Sequence, residues 1–291
     1  MHRAVSGCDL VHVMAEPYSL LAALAAGKCP LVVTAHGTYV PHTARRQITG
    51  WLYRQAYRRA HLIAVSRHTA AQVQAILPDA NLTVIRNGVH FARFQVPAPA
   101  PAKTGPTVLA SGGVKPRKGT HVLVAAMALV RERVPGAQLV VTGRQDDLPY
   151  LAKVKRQIAQ LGLESAVHLV GQIPEPELRG WYQHADVFAL PSLATGGKFE
   201  GFGLVFLEAS ASGLPVVGTT GSGVEEAVID GQTGLLVPPD NAPALADAIT
   251  RLLTDAPLRQ KMGAAGRDYA RTQDWSVVAG QVIALYRQLL A

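Results

Sequence analysis

Short apolar, β-branched stretches alternate with longer segments of helical period along the whole chain. DLVHVM (9–14), PLVVTA (30–35), HLIAVS (61–66) and LTVIRN (82–87) read as strands, with helical patterns between them near 17–26, 43–60 and 67–77. Runs this apolar suit strands buried on both faces, and strands separated by helices point to a parallel sheet. The pattern then breaks. FQVPAPAPAKTGP (94–106) is rich in proline and alanine and has no period, so it reads as a linker. Beyond it, strands are expected at 107–111, 137–142, 167–170, 186–190, 215–218 and 234–237. Helices are expected near 119–133, 148–161, 175–184, 203–212, 222–229, 241–254, 257–271 and 275–290. The expectation is an α/β protein with two Rossmann-like domains: a partial one over 1–93, the linker over 94–106, a second over 107–272, and a C-terminal segment, 273–291, packing back on the first. Ligands in such sheets bind at the carboxyl ends of the strands, which directs attention to the loops after them.

Composition changes this picture little. A chain of 291 residues, 48% hydrophobic and 16% charged, is globular and long enough for about two domains. No apolar run approaches the roughly 20 residues of a membrane span, and the opening MHRAVSGCDL lacks the hydrophobic core of a signal peptide. A cytoplasmic protein is expected, with Cys8 and Cys29 as reduced core thiols. Charge adds more. Residues 1–90 hold nine Lys and Arg against three Asp and Glu, so most of the net +8 sits at the front. RRQITGWLYRQAYRR (45–59) places five arginines among Trp51, Tyr53 and Tyr57. A basic amphipathic helix of this kind suits peripheral contact with an anionic membrane, at the inner face of the cell membrane. No nucleic-acid module accompanies the basic residues, and nucleic acid is not expected as a partner.

KFEGFGLVFLEASASGLPVV (198–217) carries the chemistry. It holds two carboxylates, Glu200 and Glu208, eight residues apart in an apolar setting. Paired helical acids sit three or four apart, and a spacing of eight leaves roughly 80° between them on a helix. GLVFLEASAS fits a helix closed by Gly213 with Pro215 beyond it, so Glu208 is helical and Glu200 lies in the loop before it. The backbone amides of Phe202, Gly203 and Leu204 then fall at a helix N-terminus, a natural anion site. The layout suits a diphosphate flanked by hydroxyl-binding carboxylates, as in a sugar nucleotide.

The string E-G-F-G-L-x-x-x-E-A-x-A-x-G-L-P-V-V resembles the signature of the retaining glycosyltransferases of family GT4, which have the GT-B fold. Other stretches resemble the family in the same order. GGVKPRKGTHVLVAAM (112–127) is similar to the donor-diphosphate loop, with Lys118 at the lysine position and Gly112 beside it. The family commonly has arginine where Gly113 stands; the expectation is that Lys115 or Arg117 supplies that charge, or that the phosphates are held with fewer cations. GQIPEPELRGWY (171–182) is similar to the segment near the nucleotide base, where backbone groups around Ile173 would hold it. DLVHVMAEPYS and TAHGTY (34–39) are similar to first-domain strand ends that face the cleft, which makes His12, Glu16 and His36 candidate sugar or acceptor contacts.

The resemblance implies transfer of a sugar from a nucleotide-diphosphate sugar to an alcohol acceptor (glycan, lipid or small molecule), with the anomeric configuration retained. Glu200 would meet the donor sugar and Glu208 the ribose. The chain has no Asp-x-Asp pair, and no metal or other cofactor is expected. The alternatives are a GT-B sugar-nucleotide epimerase and a non-catalytic donor-binding protein or fragment. The family's first domain also begins with further strands and a Gly-rich loop. The expectation is therefore a first domain incomplete at its front, with poor turnover.

Overall fold

The computed structural model describes residue 5 and residues 7–291. The first unit contains β1 (Val11–Val13), a 3-10 turn at Glu16–Tyr18, α1 (Ser19–Ala25), β2 (Leu31–Ala35), α2 (Tyr39–Ala44), α3 (Gly50–Arg59), β3 (His61–Ala64), α4 (Arg67–Gln74) and β4 (Leu82–Val84). Its described strands are all parallel, in the order β1-β2-β3-β4. Val33, Ala35, Leu62 and Tyr57 are among the side chains that fill one face of this sheet.

A short helix, α5 (Phe91–Gln95), leads to the second unit: β5 (Thr107–Ser111), α6 (Thr120–Arg133), β6 (Gln138–Thr142), α7 (Leu148–Gln160), β7 (Val167–Gly171), α8 (Glu175–His184), β8 (Val187–Ala189), α9 (Leu204–Ala211), β9 (Val216–Thr219), α10 (Val224–Ala227), β10 (Gly234–Val237), α11 (Ala242–Thr254) and α12 (Ala256–Thr272). The sheet order is β10-β9-β8-β5-β6-β7, again parallel. The chain steps from β5 outward to β6 and β7, then returns to place β8 on the other side of β5. The loops after β5 and β8 therefore diverge and leave a crevice between them, the usual ligand position in an open α/β sheet. The last helix, α13 (Trp275–Leu290), crosses back to the first unit, where Val278 and Leu285 pack on Val32, Ile63 and Ile85. Its approach is held by Val89 N–H donating to the Gln273 carbonyl at 2.9 Å, and Trp275 N–H to the Val89 carbonyl at 3.1 Å.

Three expectations need correction. The single helix near 43–60 is two helices. The last carbonyl of α2, on Ala44, is taken by Arg54 Nε from α3 at 2.9 Å, which stabilises the break. Gly50 passes so near that a Cβ there would lie 2.7 Å from the same oxygen. Second, the segment 94–106 does not hang free. Ala98 N–H donates to Gln183 at 2.9 Å, and Lys103 Nζ reaches Asp186 at 2.7 Å, so it is strapped along α8. Third, the cysteines are not core thiols. Cys8 is exposed and Cys29 half-buried, because both occupy turns flanking β1 and β2 rather than the strands themselves.

Candidate active site

The crevice between the loops after β5 and β8 collects charge. After β5 the chain passes Gly112 and Gly113, then makes a 3-10 turn over Pro116–Lys118. Gly119, at φ +64°, swings it into α6. A Cβ at Gly119 would sit 2.0 Å from the Pro191 carbonyl oxygen, so the turn is pressed directly onto the loop after β8. That contact points Lys118 into the crevice, where it is only 8% exposed.

Lys118 Nζ and Arg117 Nη1 each lie 2.7 Å from the same oxygen, Oε2 of Glu200. Ser192 Oγ donates to it more distantly, at 3.4 Å. Burial pushes the Glu200 carboxyl up, but Lys118 and Arg117 outweigh it and hold the group below the usual carboxylate range. Burial pulls the Lys118 ammonium below its ordinary value, against the attraction of Glu200. Two cations sharing one carboxylate leave an excess of positive charge in a poorly solvated place, where it acts strongly on an incoming anion.

Directly after Glu200, Gly203 at φ +88° opens α9, and no side chain caps that helix. Its first-turn amides face the crevice as a second source of positive potential. Phe202, 2% exposed, anchors the turn in the core, while Leu204 is exposed at the rim. One turn on, Glu208 accepts a hydrogen bond from Tyr182 Oη at 2.9 Å. Burial raises its carboxyl above the usual range, only partly opposed by that hydrogen bond. The cavity beside Glu208, lined also by Gly88, His90, Arg93 and Trp275, measures about 90 Å³.

Gly113 explains the absent arginine. Its φ is +84°, and a Cβ there would lie 2.7 Å from the Arg144 carbonyl oxygen, so no side chain fits. Arg117 reaches the crevice; Lys115 is exposed, within electrostatic reach of Lys118. Ile173 is half-buried in the turn between β7 and α8, two strands from Lys118.

The first unit supplies the opposite wall at one point. The Gly201 carbonyl accepts from Ser66 Oγ at 2.7 Å and Thr69 Oγ1 at 3.2 Å. His36 belongs to this contact through its backbone, and its Nε2 lies 3.0 Å from the Met14 carbonyl. Glu16 is 3% exposed and accepts from the His36 N–H at 2.6 Å, so it fixes the loop that carries His36. His12, on β1, lies within electrostatic reach of His36: burial, and then His36, lowers its pKa. Its ring is held by Thr34 Oγ1 at 2.7 Å and by Tyr286 of α13, because α13 covers that side of β1. Glu226 of α10 adds a further tie between the units, accepting from Arg86 Nε at 2.8 Å.

Ser192, Tyr182, Gly201 and Ser66 were not singled out in the sequence. Gly201 carried a signal as the glycine between Glu200 and Phe202, and Tyr182 closes the motif GQIPEPELRGWY; Ser66 acts through a contact 135 positions away.

The chain is similar to known proteins. A family model described as Glycosyl transferases group 1 matches residues 92–269, and one described as Glycosyltransferase Family 4 matches residues 1–93. A GDP-mannose-dependent alpha-(1-6)-phosphatidylinositol monomannoside mannosyltransferase of Mycobacterium tuberculosis is 33% identical, over 97% of this chain and 77% of that protein. A glycogen synthase of the same species is 32% identical over 88% of this chain and 63% of that protein. Sucrose-phosphate synthase from Thermosynechococcus elongatus superposes with a TM-score of 0.82 at 29% identity, covering 99% of this chain and 75% of that one.

Proposed function

The chain belongs to the glycosyl transferases group 1 family, with the GT-B fold, and is a nucleotide-sugar glycosyltransferase; we propose that it transfers a hexose with retained configuration and without a metal ion. The observation that carries this is the Arg117–Lys118–Glu200 cluster beneath the uncapped start of α9. It offers two cations and a row of amides to a departing diphosphate, which is what cleavage of a sugar–phosphate bond requires. Lys118 and Arg117 bind the phosphate oxygens. Glu200, freed as they turn to the phosphate, accepts from donor-sugar hydroxyls. Glu208 accepts from the ribose. Positive charge for the diphosphate thus comes from the chain itself. With Glu200 engaged by donor-sugar hydroxyls, the acceptor attacks on the face the diphosphate leaves, with a phosphate oxygen taking the acceptor's proton.

The relatives' names make GDP-mannose the first donor to test and leave a lipid or a glycan as acceptor. Incubation with GDP-, UDP- and ADP-sugars and an alcohol acceptor should give a product of unchanged anomeric configuration by NMR, with full activity in EDTA. An inverted product, or activity abolished by EDTA and restored by Mg²⁺, contradicts those two parts of the reading. Glu208→Ala should weaken the free nucleotide by roughly 1.5–3 kcal/mol in calorimetry. Because the Glu208 carboxyl is raised, wild-type affinity should be level at higher pH and fall on acidification, from above the usual glutamate range. Glu208→Gln should lack that step; an unchanged pH profile in this variant assigns the step to another group.

The first unit also presents Ile48, 87% exposed, and Trp51, 62% exposed, among the exposed Arg45, Arg46 and Arg54. Apolar side chains ringed by cations suit an anionic bilayer surface. No helix among the described residues is long and apolar enough to cross a membrane. The protein should sediment with phosphatidylglycerol vesicles at low salt and not with phosphatidylcholine vesicles. Arg45→Glu combined with Trp51→Ala should abolish sedimentation; equal sedimentation of this variant removes the patch from consideration.

A further inference from the structure

Tyr182 lies near the end of α8 and is 1% exposed. Its ring meets Phe94 of α5 edge-to-face, with centroids 5.9 Å apart, and Phe188 of β8 at 6.0 Å. Rings packed on two sides in this way hold the phenol in one place. Its Oη donates to Glu208 Oε2 at 2.9 Å, and Ser111 at the end of β5 faces the same hydroxyl. Burial, and then the charge of Glu208, pushes the phenol well above its ordinary value, so it remains a protonated donor. Phenylalanine would fill the same ring space. What the hydroxyl adds is therefore its hydrogen bonding, and burying it is costly unless it is paired.

The two oxygens of Glu208 are not equivalent. Oε2 is taken by Tyr182, while Oε1 has no hydrogen-bond partner among the described residues, and the side chain lines the cavity beside α9. The charged and titratable groups that face it are Arg93 of α5, Lys118 after β5 and His90 on the cavity wall. Arg93 is paired with Glu175, and Lys118 with Glu200. Tyr182 is thus the one direct donor to Glu208 among the described residues. A poorly solvated carboxylate with one donor depends on it for both its direction and its charge.

We propose that Tyr182 is a positioning residue for the reaction: its hydroxyl holds one oxygen of Glu208 so that the other is presented to the hydroxyls of the donor's ribose. The assignment rests on the nucleotide-sugar reading of the crevice and adds what makes Glu208 competent in it.

The test is calorimetry with GDP and UDP on the full chain, over the pH range in which the protein stays folded. Tyr182→Phe should weaken the nucleotide about tenfold at neutral pH, the scale of one hydrogen bond to a charged group. The loss of affinity on acidification should begin at higher pH than in wild type, by about one unit. The sign follows from the bond: the phenol stabilises the carboxylate, so without it Glu208 takes up its proton sooner. A ring-fluorinated tyrosine at position 182, a stronger donor of nearly the same shape, should move the step to lower pH. In the Glu208→Gln background, Tyr182→Phe should change affinity less than about twofold, because the two residues act as one unit. In turnover assays Tyr182→Phe should raise KM and leave kcat nearly unchanged, since the ribose contact is the same before and during bond cleavage. An acid step that stays in place in both Tyr182 variants overturns the proposal. So does an equal loss from Tyr182→Phe with and without Glu208, which would make the hydroxyl part of the packing alone. Wild-type protein that binds neither nucleotide overturns the nucleotide-sugar reading itself, and the role of Tyr182 with it.

Discussion

Lys118→Gln should lower kcat/KM by about 10²–10³-fold, the usual cost of removing one group that stabilises charge developing in a transition state. When the sugar–phosphate bond breaks, negative charge grows on the terminal phosphate. Lys118 is the most buried cation beside that position, 8% exposed and 2.7 Å from Glu200 Oε2. Poor solvation makes its charge act strongly, and the fixed turn over Pro116–Lys118 means that little reorganisation is needed as the charge appears. Glutamine retains a donor to Glu200, and Arg117 still neutralises that carboxylate, so the fold should survive. Steady-state kinetics and a melting curve decide the matter. Wild-type kcat/KM within threefold, in a folded variant, would remove Lys118 from the diphosphate site.

Gly201→Ala should have a comparable effect for a different reason. The added methyl would lie 2.0 Å from the His36 carbonyl oxygen, which belongs to the other unit. Backbone on both sides makes the contact, so no flexible side chain can yield. Gly201 also accepts from Ser66 and Thr69, and Gly223 packs against its carbonyl. The two units must separate at this point by a distance of the order of an ångström, and misplacement on that scale can cost about 100-fold in rate. Each sheet has its own core and should remain folded. Circular dichroism should therefore be unchanged while activity falls. Activity within twofold of wild type would show that the Gly201–His36 contact is dispensable.

The strands of the second unit were legible almost to the residue. Expected 107–111 is Thr107–Ser111, and expected 234–237 is Gly234–Val237. Such strands are buried on both faces, so their apolar runs are uninterrupted and end where the loop begins. The helix near 43–60 was misread because its break is made by Arg54 reaching back to Ala44, and no proline or periodicity change marks it. Of the expected linker 94–106, Phe94 and Gln95 close α5, and the composition showed the absence of regular structure only beyond them. It carried no information about Gln183 and Asp186, which hold that segment in place.

Alternation of apolar strands and helices sufficed for the α/β class, and the resemblance of the motifs within 198–217 and 112–127 sufficed for the family, because both are local patterns along the chain. Which charges meet was decided only when β8 returned beside β5. Glu200 lies 82 positions from Lys118 and 83 from Arg117, and all three converge on one oxygen because two loops leave the sheet in opposite directions. The same holds for His12, whose ring partner, Tyr286 of α13, lies 274 positions away. Pattern along a chain records which face of an element is apolar. The partner of a buried polar group depends on which distant element packs there, and short-range pattern carries almost none of that information.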